Sequence, residues 1–288
     1  MKVETSSEDK VLFPEDDLTK GDILEYYESI SEAILPHLED RPLMLQRFPD
    51  GIDTDGFYQK EAGDYFPDWI ETKKIKKEGG TVNHVICQNK STLKYLVNQG
   101  TLTFHTWLST TDDIHKPDQF IIDLDPPKGD FEIVRDAALI LHEFFEKEEI
   151  TAFAKTTGSK GVHVMIPLDG KSEFDEVREV GAKIGEIMVE KHGDVFTQEV
   201  RKNKRDGKLY FDIQRNAYAQ TAVCPYSIRP IEGAPVATPL DWEELNDGSI
   251  DAQSFNVKNI QSRLSKNADP WKGFRRHAVG LKRLQGVV

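Results

Sequence analysis

The chain has 288 residues, which is long enough for one large or two modest domains, and 38% of them are hydrophobic. A mean hydropathy of −0.53 indicates a soluble, globular protein. No stretch approaches the roughly 18 apolar residues of a membrane span. The first residues, MKVETSSEDK, lack the apolar segment of a secretory signal.

The charge is acidic overall but unevenly distributed. A net charge of −13 argues at first sight against a nucleic-acid partner. Basic residues nevertheless cluster at 73–77, at 201–208 and in GFRRHAVGLKRL near the end. Because binding depends on the local field, the total charge does not exclude such a partner. Cys87 and Cys224 are too few for a disulfide scaffold, so we interpret them as buried apolar residues of an intracellular protein.

The N-terminal part of the sequence alternates helical and extended patterns. TKGDILEYYESISEAILPHL predicts a helix that begins at Thr19. PLMLQRF and GFYQKE predict strands. NKSTLKYLVNQG then predicts a helix that ends at Gly100, and TLTFHTWL predicts a further strand.

From residue 117 the pattern becomes a regular β-α-β-β-α-β series. DQFIIDLD, ITAFAKTT, VHVMIPL and KLYFDIQ predict strands, and two amphipathic helices lie between them. This series is typical of a ferredoxin-like or RNA-recognition-motif-like α+β unit with an antiparallel sheet. The first strand then lies between the third and the fourth, and both helices cover one face.

The alternation of side chains along these strands predicts an acidic cluster. Ile122 and Leu124 would face the helices, so Asp123 and Asp125 would share the open face. His163 on the third strand and Asp212 on the fourth would lie beside them. Clustered carboxylates repel one another unless cations compensate them, and hard oxygen ligands suit Mg²⁺ or Mn²⁺. The alternative is that each aspartate is an exposed turn or strand-end residue.

The turn TTGSKGVH lies next to this cluster and suits a phosphate. Glycines flank Ser159 and Lys160, so backbone N–H groups of the turn can point at an anion. Hairpin turns favour the same residues without any ligand. His163 is either a core histidine or a phosphate contact, and its place on the polar face favours the contact.

DLD, SKGVH and a later FD are similar to the three motifs of the archaeo-eukaryotic primase superfamily. The chain most resembles the polymerase domain of the prokaryotic end-joining ligase, ligase D. DKVLFPEDDLTKGDILEYY, FYQK, IIDLDPP, GSKGVH and CPYSIRP carry that resemblance, which extends to about Pro270. With no ligase domain in the sequence, we expect a stand-alone homologue.

The resemblance implies an archaeo-eukaryotic primase-like fold with a single catalytic domain over residues 1–288. An N-terminal α/β layer over about 1–115 would face the RNA-recognition-motif-like unit, over about 117–230, across a cleft. Residues 231–270 would pack back on the domain. The segment 271–288 is either a DNA- or partner-binding extension or a frayed terminus, and we expect the frayed terminus.

The resemblance also implies roles for individual residues. Three aspartates would bind two Mn²⁺ or Mg²⁺ ions, and a second group would hold the incoming triphosphate. Two lysines would bind a 5′-phosphate downstream of a gap. The catalytic residues and metal ligands are Asp123, Asp125 and Asp212; the nucleotide-binding residues are Ser159, Lys160, His163, Arg229 and His105; the 5′-phosphate ligands are Lys10 and Lys20; the template or primer contacts are Phe57, Tyr58 and Arg205.

Some of these residues have an alternative interpretation. His105 equally fits a strand histidine packed on the Trp107 side of its sheet. One of Phe57 and Tyr58 is expected to pack in a core, because neighbouring strand residues face opposite ways. Lys10 and Lys20 would otherwise be ordinary solvated lysines.

Two departures from the family pattern concern cationic positions. Gln46 and Gln220 stand where relatives carry basic residues. Their loss predicts weaker triphosphate or backbone contacts unless other residues replace them.

The implied activity is template-dependent nucleotidyl transfer at DNA breaks and gaps during non-homologous end joining, with ribonucleotides favoured. Expected partners are gapped, overhanging or broken DNA, nucleoside triphosphates, a separate DNA ligase and a Ku-type end-binding protein. We expect a cytoplasmic, nucleoid-associated monomer that is able to pair across two DNA ends, without a membrane partner. A primase that starts strands de novo and a DNA-end-bridging module with secondary polymerase activity stay open. A metal-dependent nuclease is disfavoured because the phosphate-binding turn would then have no ligand.

Overall fold

The computed structural model describes residues 3–77, 79–127 and 129–288, and the chain divides into two compact units. The first unit runs up to Trp107 and also contains two later segments, Thr221–Ala237 and Phe255–Ala268. The second unit comprises Leu108–Gln220, Thr238–Ser254 and Asp269–Val288. The first division therefore lies before the boundary near 115 that we expected from the sequence.

The strands and helices alternate along both units. The strands are β1 (Val11–Phe13), β2 (Leu18–Thr19), β3 (Leu43–Arg47), β4 (Phe57–Gln59), β5 (Thr72–Lys77), β6 (Gly80–Val85), β7 (Thr101–Trp107), β8 (Gln119–Leu124), β9 (Phe153–Thr156), β10 (Val162–Pro167), β11 (Phe196–Thr197), β12 (Leu209–Tyr210), β13 (Thr221–Val223) and β14 (Pro239–Leu240). The helices are α1 (Lys20–Ser29), α2 (Ser31–Leu38), α3 (Lys90–Asn98), α4 (Phe131–Lys147), α5 (Phe174–Lys191), α6 (Trp242–Asn246), α7 (Ile260–Lys266) and α8 (Leu281–Gln285). None of the helices among the described residues is long and apolar enough to cross a membrane.

The first unit is built around an antiparallel sheet with the strand order β13-β7-β3-β4. β1 and β2 form a short antiparallel ribbon, and β5 and β6 form a hairpin. Every residue of β7 is buried, whereas β4 at the sheet edge has no buried residue. The central strands therefore form the core of this unit, and β4 presents its side chains to solvent.

The first predicted helix is divided into α1 and α2. It begins as predicted, because Thr19 is the N-cap and forms a reciprocal capping box with Asp22. The break falls at Ile30. On either side of it, the hydroxyls of Ser29 and Ser31 donate hydrogen bonds to backbone carbonyls three residues earlier. Such local side-chain bonds compete with the continuous helical pattern.

The second unit contains an antiparallel sheet with the strand order β14-β9-β10-β8. Beyond β8, Asp123 forms an isolated antiparallel bridge with Asp212. The predicted position of the first strand, between the third and the fourth, is thus confirmed. The fourth strand is much shorter than predicted: only Leu209–Tyr210 is regular, and it pairs in parallel with β11.

The sequence pattern left the second face of this sheet to a ligand or to a second layer of structure, and in the structure that face is buried on β8 and β10. Every residue of β8 and β10 is buried, on both faces. Asp123 is only 6% exposed and His163 only 1%. Strand alternation correctly separates the two faces, but it does not reveal whether a second layer covers the polar face.

The C-terminal segment is anchored instead of frayed. Val279 forms a parallel bridge with Leu168, and its backbone carbonyl accepts a hydrogen bond of 3.0 Å from the N–H of Asp169. In α8, Leu281 and Leu284 are buried. Two apolar residues with helical spacing therefore fix a segment whose charged residues stay exposed.

Candidate active site

The site in the second unit is a row of polar residues that crosses the sheet perpendicular to its strands. His163 on β10 is the register partner of Asp123 on β8. Asp212 is the next residue across, and the N–H of Asp123 donates a hydrogen bond of 2.9 Å to its carbonyl oxygen. Residues in register on antiparallel strands point to the same face, so the side chains of these three residues lie on one face. The predicted proximity of these residues is therefore observed.

Asp125 lies at the end of the same row, directly after β8. It is more exposed than Asp123, and its carboxylate approaches the backbone of Gly161. A Cβ at position 161 would overlap the carbonyl oxygen of Leu124 and would lie 2.6 Å from Oδ1 of Asp125. The glycine therefore permits the close approach of the turn to the acidic strand end.

The glycine turn folds around a hydroxyl group. The backbone N–H groups of Ser159, Lys160 and Gly161 point at Oγ1 of Thr157, at 3.4, 3.3 and 3.1 Å. These donors converge as the sequence predicted. In this conformation the Thr157 hydroxyl, which belongs to the turn itself, accepts their hydrogen bonds. The longer two are weak hydrogen bonds. Lys160 is exposed, and its charge favours the ionised form of Asp125.

Two carboxylates of the row, those of Asp125 and Asp212, have raised pKa values. Partial burial and the neighbouring Asp123 raise the pKa of Asp125. Burial also raises the pKa of Asp212, and Asp123 adds to the effect. These shifts mean that the folded protein disfavours the ionised form of both groups.

Asp123 differs because His163 and the cationic Arg215 lie against it. Burial alone would raise its pKa, but His163 and Arg215 outweigh that effect and hold the pKa well below its ordinary range. His163 is itself neutral near pH 7, since burial and the charge of Lys155 lower its pKa to about 4. Arg215, whose Nε donates a hydrogen bond of 2.6 Å to Oδ2 of Asp123, is therefore the main compensating charge at neutral pH.

Sequence reasoning missed Arg215 and the residue that positions it. Both lie in a 3₁₀ turn, Gln214–Asn216, directly after Asp212. The side chain of the fully buried Asn216 accepts a hydrogen bond from the N–H of Ile121 at 2.9 Å and donates one to its carbonyl oxygen at 2.6 Å. The available signal was the polar run QRN, which begins at the last residue of a predicted strand.

Lys155 is a second residue that the sequence did not single out. It is the register partner of His163 on the side away from Asp123, and its side chain is fully buried. The row across the sheet is therefore Lys155, His163, Asp123, Asp212. A lysine inside an apolar strand is unusual enough to have been a signal, because lysine is almost never fully buried.

The donor set of this row suits a divalent cation. Oδ1 of Asp123 is buried and accepts no hydrogen bond from the described residues, and Nε2 of His163 lies 3.4 Å from it. The pKa values of two further carboxylates nearby are raised by burial and by the charge of Asp123, and an added cation would relieve that repulsion. As they are placed, however, no three His, Cys, Asp or Glu side chains in the described ranges form a metal-binding group. The oxygen donors of these residues are the kind that Mg²⁺ and Mn²⁺ prefer. In this conformation, however, the side chains do not converge on one point.

Two lysines of the first unit are neighbours at one end of the β1–β2 ribbon. The N–H of Lys20 donates a hydrogen bond of 2.8 Å to the carbonyl oxygen of Lys10. Lys20 is only 8% exposed, and burial and the charge of Lys10 lower its pKa. Its Nζ donates to the carbonyl oxygen of Ser6 at 2.7 Å, whereas Nζ of Lys10 contacts Asp50. The two predicted phosphate ligands are therefore adjacent, and Lys20 is not a solvated lysine.

The aromatic pair on β4 departs from the prediction. Phe57 is 46% exposed and Tyr58 is 58% exposed, so neither packs in a core. The Arg47 guanidinium lies 5.2 Å from the Phe57 ring centroid. Tyr58 meets His105 edge to face, with a centroid distance of 6.0 Å. A three-residue edge strand exposes both faces, which is why alternation did not force either ring inward.

The remaining predicted residues have local partners. His105 is buried on β7 beside Tyr58. Arg229 is half-buried, and its N–H donates a hydrogen bond of 2.7 Å to Pro235. Arg205 donates to the carbonyl oxygens of Glu199 and Val200, both at 2.9 Å.

The two glutamine positions differ in exposure. Gln220 is exposed, just before β13. Gln46 is half-buried on β3, and its Oε1 accepts no hydrogen bond from the described residues.

Comparison with known proteins gives a consistent result. The family described as the LigD primase-polymerase domain matches residues 19–271. The chain belongs to this family. The bifunctional non-homologous end joining protein LigD of Bacillus subtilis strain 168 is 33% identical over 278 residues, which are 96% of this chain and 44% of that protein. The multifunctional LigD of Pseudomonas aeruginosa is 29% identical over 275 residues, or 94% of this chain and 33% of that protein.

The family is one of nucleotidyltransferases, so the predicted enzyme class is confirmed. The polymerase domain of Mycobacterium tuberculosis ligase D, solved in complex with DNA, superimposes with a TM-score of 0.89 at 24% identity and covers 96% of this chain and 99% of that one. This similarity confirms the predicted fold class. The chain spans less than half the length of the curated relatives described above.

Proposed function

We propose that this LigD-type domain is a template-dependent nucleotidyltransferase that extends primer 3′ ends at DNA gaps and breaks. One observation carries the proposal: His163 on β10 and Asp123 on β8 are register partners, and Asp212 forms the next bridge across from Asp123. Asp125 and the glycine turn border the same row. A scaffold or DNA-bridging module has no need to bury such a costly cluster of acids.

The carboxylates of Asp123, Asp125 and Asp212 are proposed to hold two Mn²⁺ or Mg²⁺ ions. When bound, such ions activate the attacking 3′-hydroxyl and neutralise charge on the leaving pyrophosphate. The contribution of the chain is to present three hard oxygen donors on a rigid sheet. Burial and, after it, the charge of Asp123 raise the pKa values of Asp125 and Asp212, and the second cause supports this role because a bound cation would relieve that repulsion.

The incoming triphosphate is proposed to contact Ser159, Lys160, His163, His105 and Arg229. In support, three N–H groups of the glycine turn converge on one point, and exposed Lys160 adds a positive charge beside them. A phosphate oxygen would be a stronger acceptor than the Thr157 hydroxyl that they now face. Arg229 would suit a triphosphate because its guanidinium is planar and always charged.

Lys10 and Lys20 are proposed to bind the 5′-phosphate downstream of a gap. Their adjacency on one ribbon and the mutual repulsion of their charges support an anion between them. Lys20 is also the first residue of α1, where helix N–H groups and the helix dipole favour negative charge. The exposed rings of Phe57 and Tyr58 are proposed to stack on template bases, and Arg205 to contact the primer strand.

In its cellular role, the chain is proposed to act in non-homologous end joining, as the names of its relatives state for them. It would then work on broken, gapped or overhanging DNA with ribonucleotides preferred, alongside a ligase activity and a Ku-type end-binding protein, in the cytoplasm. Two copies would pair across two DNA ends.

The decisive experiment is primer extension on a DNA substrate with a one-nucleotide gap, with ribonucleoside triphosphates and Mn²⁺. The downstream strand is supplied with and without a 5′-phosphate. We expect addition that depends on the phosphate and is lost in the Asp123→Ala Asp125→Ala variant. The matched control is Glu132→Ala Asp136→Ala, which removes two exposed acids of α4 in the same unit.

The alternatives give different results in the same assay. Equal addition on both substrates would remove the 5′-phosphate site and would favour a general primase-polymerase, as would synthesis on an unprimed single strand. If the Asp123→Ala Asp125→Ala variant supported end joining in vitro as well as the wild type, a DNA-bridging role would replace the catalytic one.

A further inference from the structure

Arg215 places a positive charge beside the carboxylates of the row. Its Nε is 2.6 Å from Oδ2 of Asp123, one of the three proposed metal ligands. The same guanidinium interacts favourably with Asp212 and Asp125, and it offsets part of the rise that burial causes in the pKa of both. One positive side chain therefore compensates all three carboxylates of the row.

The fold holds Arg215 in this position. Asp212 accepts a hydrogen bond of 2.8 Å at Oδ1 from the N–H of Gln214, which closes the turn that follows it. Asn216 then fixes the turn to Ile121, two residues before Asp123. With both ends of the turn attached, the residue between them is directed at the acidic row. The guanidinium position is thus built into the backbone and is not a chance surface contact.

We propose that Arg215 occupies the place of the divalent cation in the metal-free protein and releases Asp123 when the cation binds. The inference rests on the proposed function, since it takes Asp123, Asp125 and Asp212 as the metal ligands. It explains why the described carboxylates form no closed metal-binding group while this arginine lies among them.

Two features allow the exchange. The side chain of Arg215 is 40% exposed, so it is able to leave the row without disrupting a packed core. Oδ1 of Asp123, in contrast, accepts no hydrogen bond from the described residues and remains available for the first contact with an ion. An arriving cation would thus bind on one oxygen while the guanidinium leaves the other.

The test measures Mn²⁺ binding directly, with the electron paramagnetic resonance signal of free Mn²⁺ and no nucleotide or DNA. The variants are Arg215→Gln, Arg215→Lys and the control Arg178→Gln. Arg178 lies in the same unit with a similar side-chain exposure of 38%, and it is paired with Asp175 at 3.9 Å. Arg178→Gln therefore makes the same charge change away from the row.

We expect Arg215→Gln to bind Mn²⁺ about tenfold more tightly than the wild type, because no unit charge has to be displaced from a few ångströms away. Arg215→Lys, which keeps the charge, should stay closer to the wild type, and Arg178→Gln should match it. Equal or weaker binding by Arg215→Gln would overturn the inference and would make Arg215 a support of the metal ligands. If neither the wild type nor any variant binds Mn²⁺, the proposed metal site fails as well.

Thermal unfolding separates this effect from a folding defect. Without metal, Arg215→Gln should melt below the wild type, since three carboxylates lose their common countercharge. Saturating Mn²⁺ should then raise its melting temperature more than that of the wild type, because a ligand stabilises the state it binds. An equal rise in both proteins would contradict the exchange.

Discussion

Charge is concentrated in two places, and it is balanced differently in each. One is the row with Asp123, Asp125 and Asp212 in the second unit, and the other is the β1–β2 ribbon with Lys10 and Lys20 in the first unit. Lys10 and Lys20 have anionic or carbonyl partners of their own, Asp50 and the backbone of Ser6. The acidic row has one shared guanidinium for three carboxylates, and two of them have raised pKa values. The ribbon is nearly balanced without a ligand, whereas the row is not. We therefore expect the row to depend on a bound cation and the ribbon only to modulate affinity.

The largest effect that this contrast predicts is on catalysis. Asp123→Asn should lower the turnover number by about 10³-fold or more, because a lost metal ligand removes several kcal/mol of transition-state stabilisation. Steady-state primer extension is the measurement, and Asp136→Asn, at an exposed acid of α4, is the control. Treatment with a chelator should abolish the wild-type activity, and added Mn²⁺ should restore it. Activity that persists in the variant would show that the row is structural.

A second prediction concerns Asn216, which fixes to Ile121 the turn that positions Arg215. Asn216→Ala leaves the N–H and carbonyl oxygen of Ile121 without their partner, so the free energy of unfolding should fall by about 2 kcal/mol. Urea denaturation monitored by tryptophan fluorescence is suitable, with the exposed Asn203→Ala as the control. An unchanged midpoint would mean that the turn is held by other contacts.

Removing one lysine from the ribbon should have a smaller, substrate-specific effect. Lys20→Ala should reduce the preference for a 5′-phosphorylated gap by about tenfold, since a hydrogen bond to a charged group contributes about 1.5–3 kcal/mol. Binding of the unphosphorylated gap should hardly change. Lys94→Ala is the matched control, because Lys94 is a partly exposed lysine of the same unit paired with Glu28. If both gaps lose affinity equally, the ribbon contributes only general charge.

Replacing an exposed ring of β4 should weaken template binding without altering the chemistry. Phe57→Leu should lower affinity for template DNA by roughly tenfold, because stacking contributes about 1–3 kcal/mol per base. Phe57→Tyr, which keeps a stacking ring, should bind like the wild type. Fluorescence anisotropy with a labelled template measures both. A loss in both variants would argue for a packing role beside Arg47.

The smallest predicted effect is a gain in stability. Folding raises the pKa of Asp125, so its ionised form costs stability as the pH rises through the folded-state value. Asp125→Asn should therefore raise the melting temperature at pH 7 in the presence of a chelator. The gain should vanish well below the ordinary pKa of 3.8, where the carboxyl is protonated in both states. The exposed Asp136→Asn should show no such pH-dependent gain, and a lower melting temperature for Asp125→Asn would contradict excess charge in the row.

The fold and the row were predictable from local patterns because both follow from strand periodicity. The series from residue 117 onward identified β8, α4, β9, β10 and α5, and alternation brought Asp123, His163 and Asp212 together. The length of the fourth strand was not predictable, because KLYFDIQ has the alternation of a strand but pairs with β8 only at Asp212. Whether a segment pairs as a strand depends on the backbone groups of the neighbouring segment. The sequence of the segment itself does not specify those groups.

The residues that compensate the row were missed for a similar reason. Lys155 lies in an apolar strand, and Arg215 and Asn216 lie in a short polar run. Each has its role through a partner 8 to 95 positions away in the sequence: Lys155 beside His163, Asn216 beside Ile121. No periodicity connects such positions.

By itself, the sequence determined the order of strands and helices, the face on which each acid lies and the family to which the chain belongs, since these depend on the spacing of residues along the chain. Only the tertiary structure decided that the polar face of β8 and β10 is buried, that both rings of β4 are exposed, and that Arg215 lies on Asp123. Burial and charge compensation depend on which segments meet across the sheet, and that is settled when distant parts of the chain pack together.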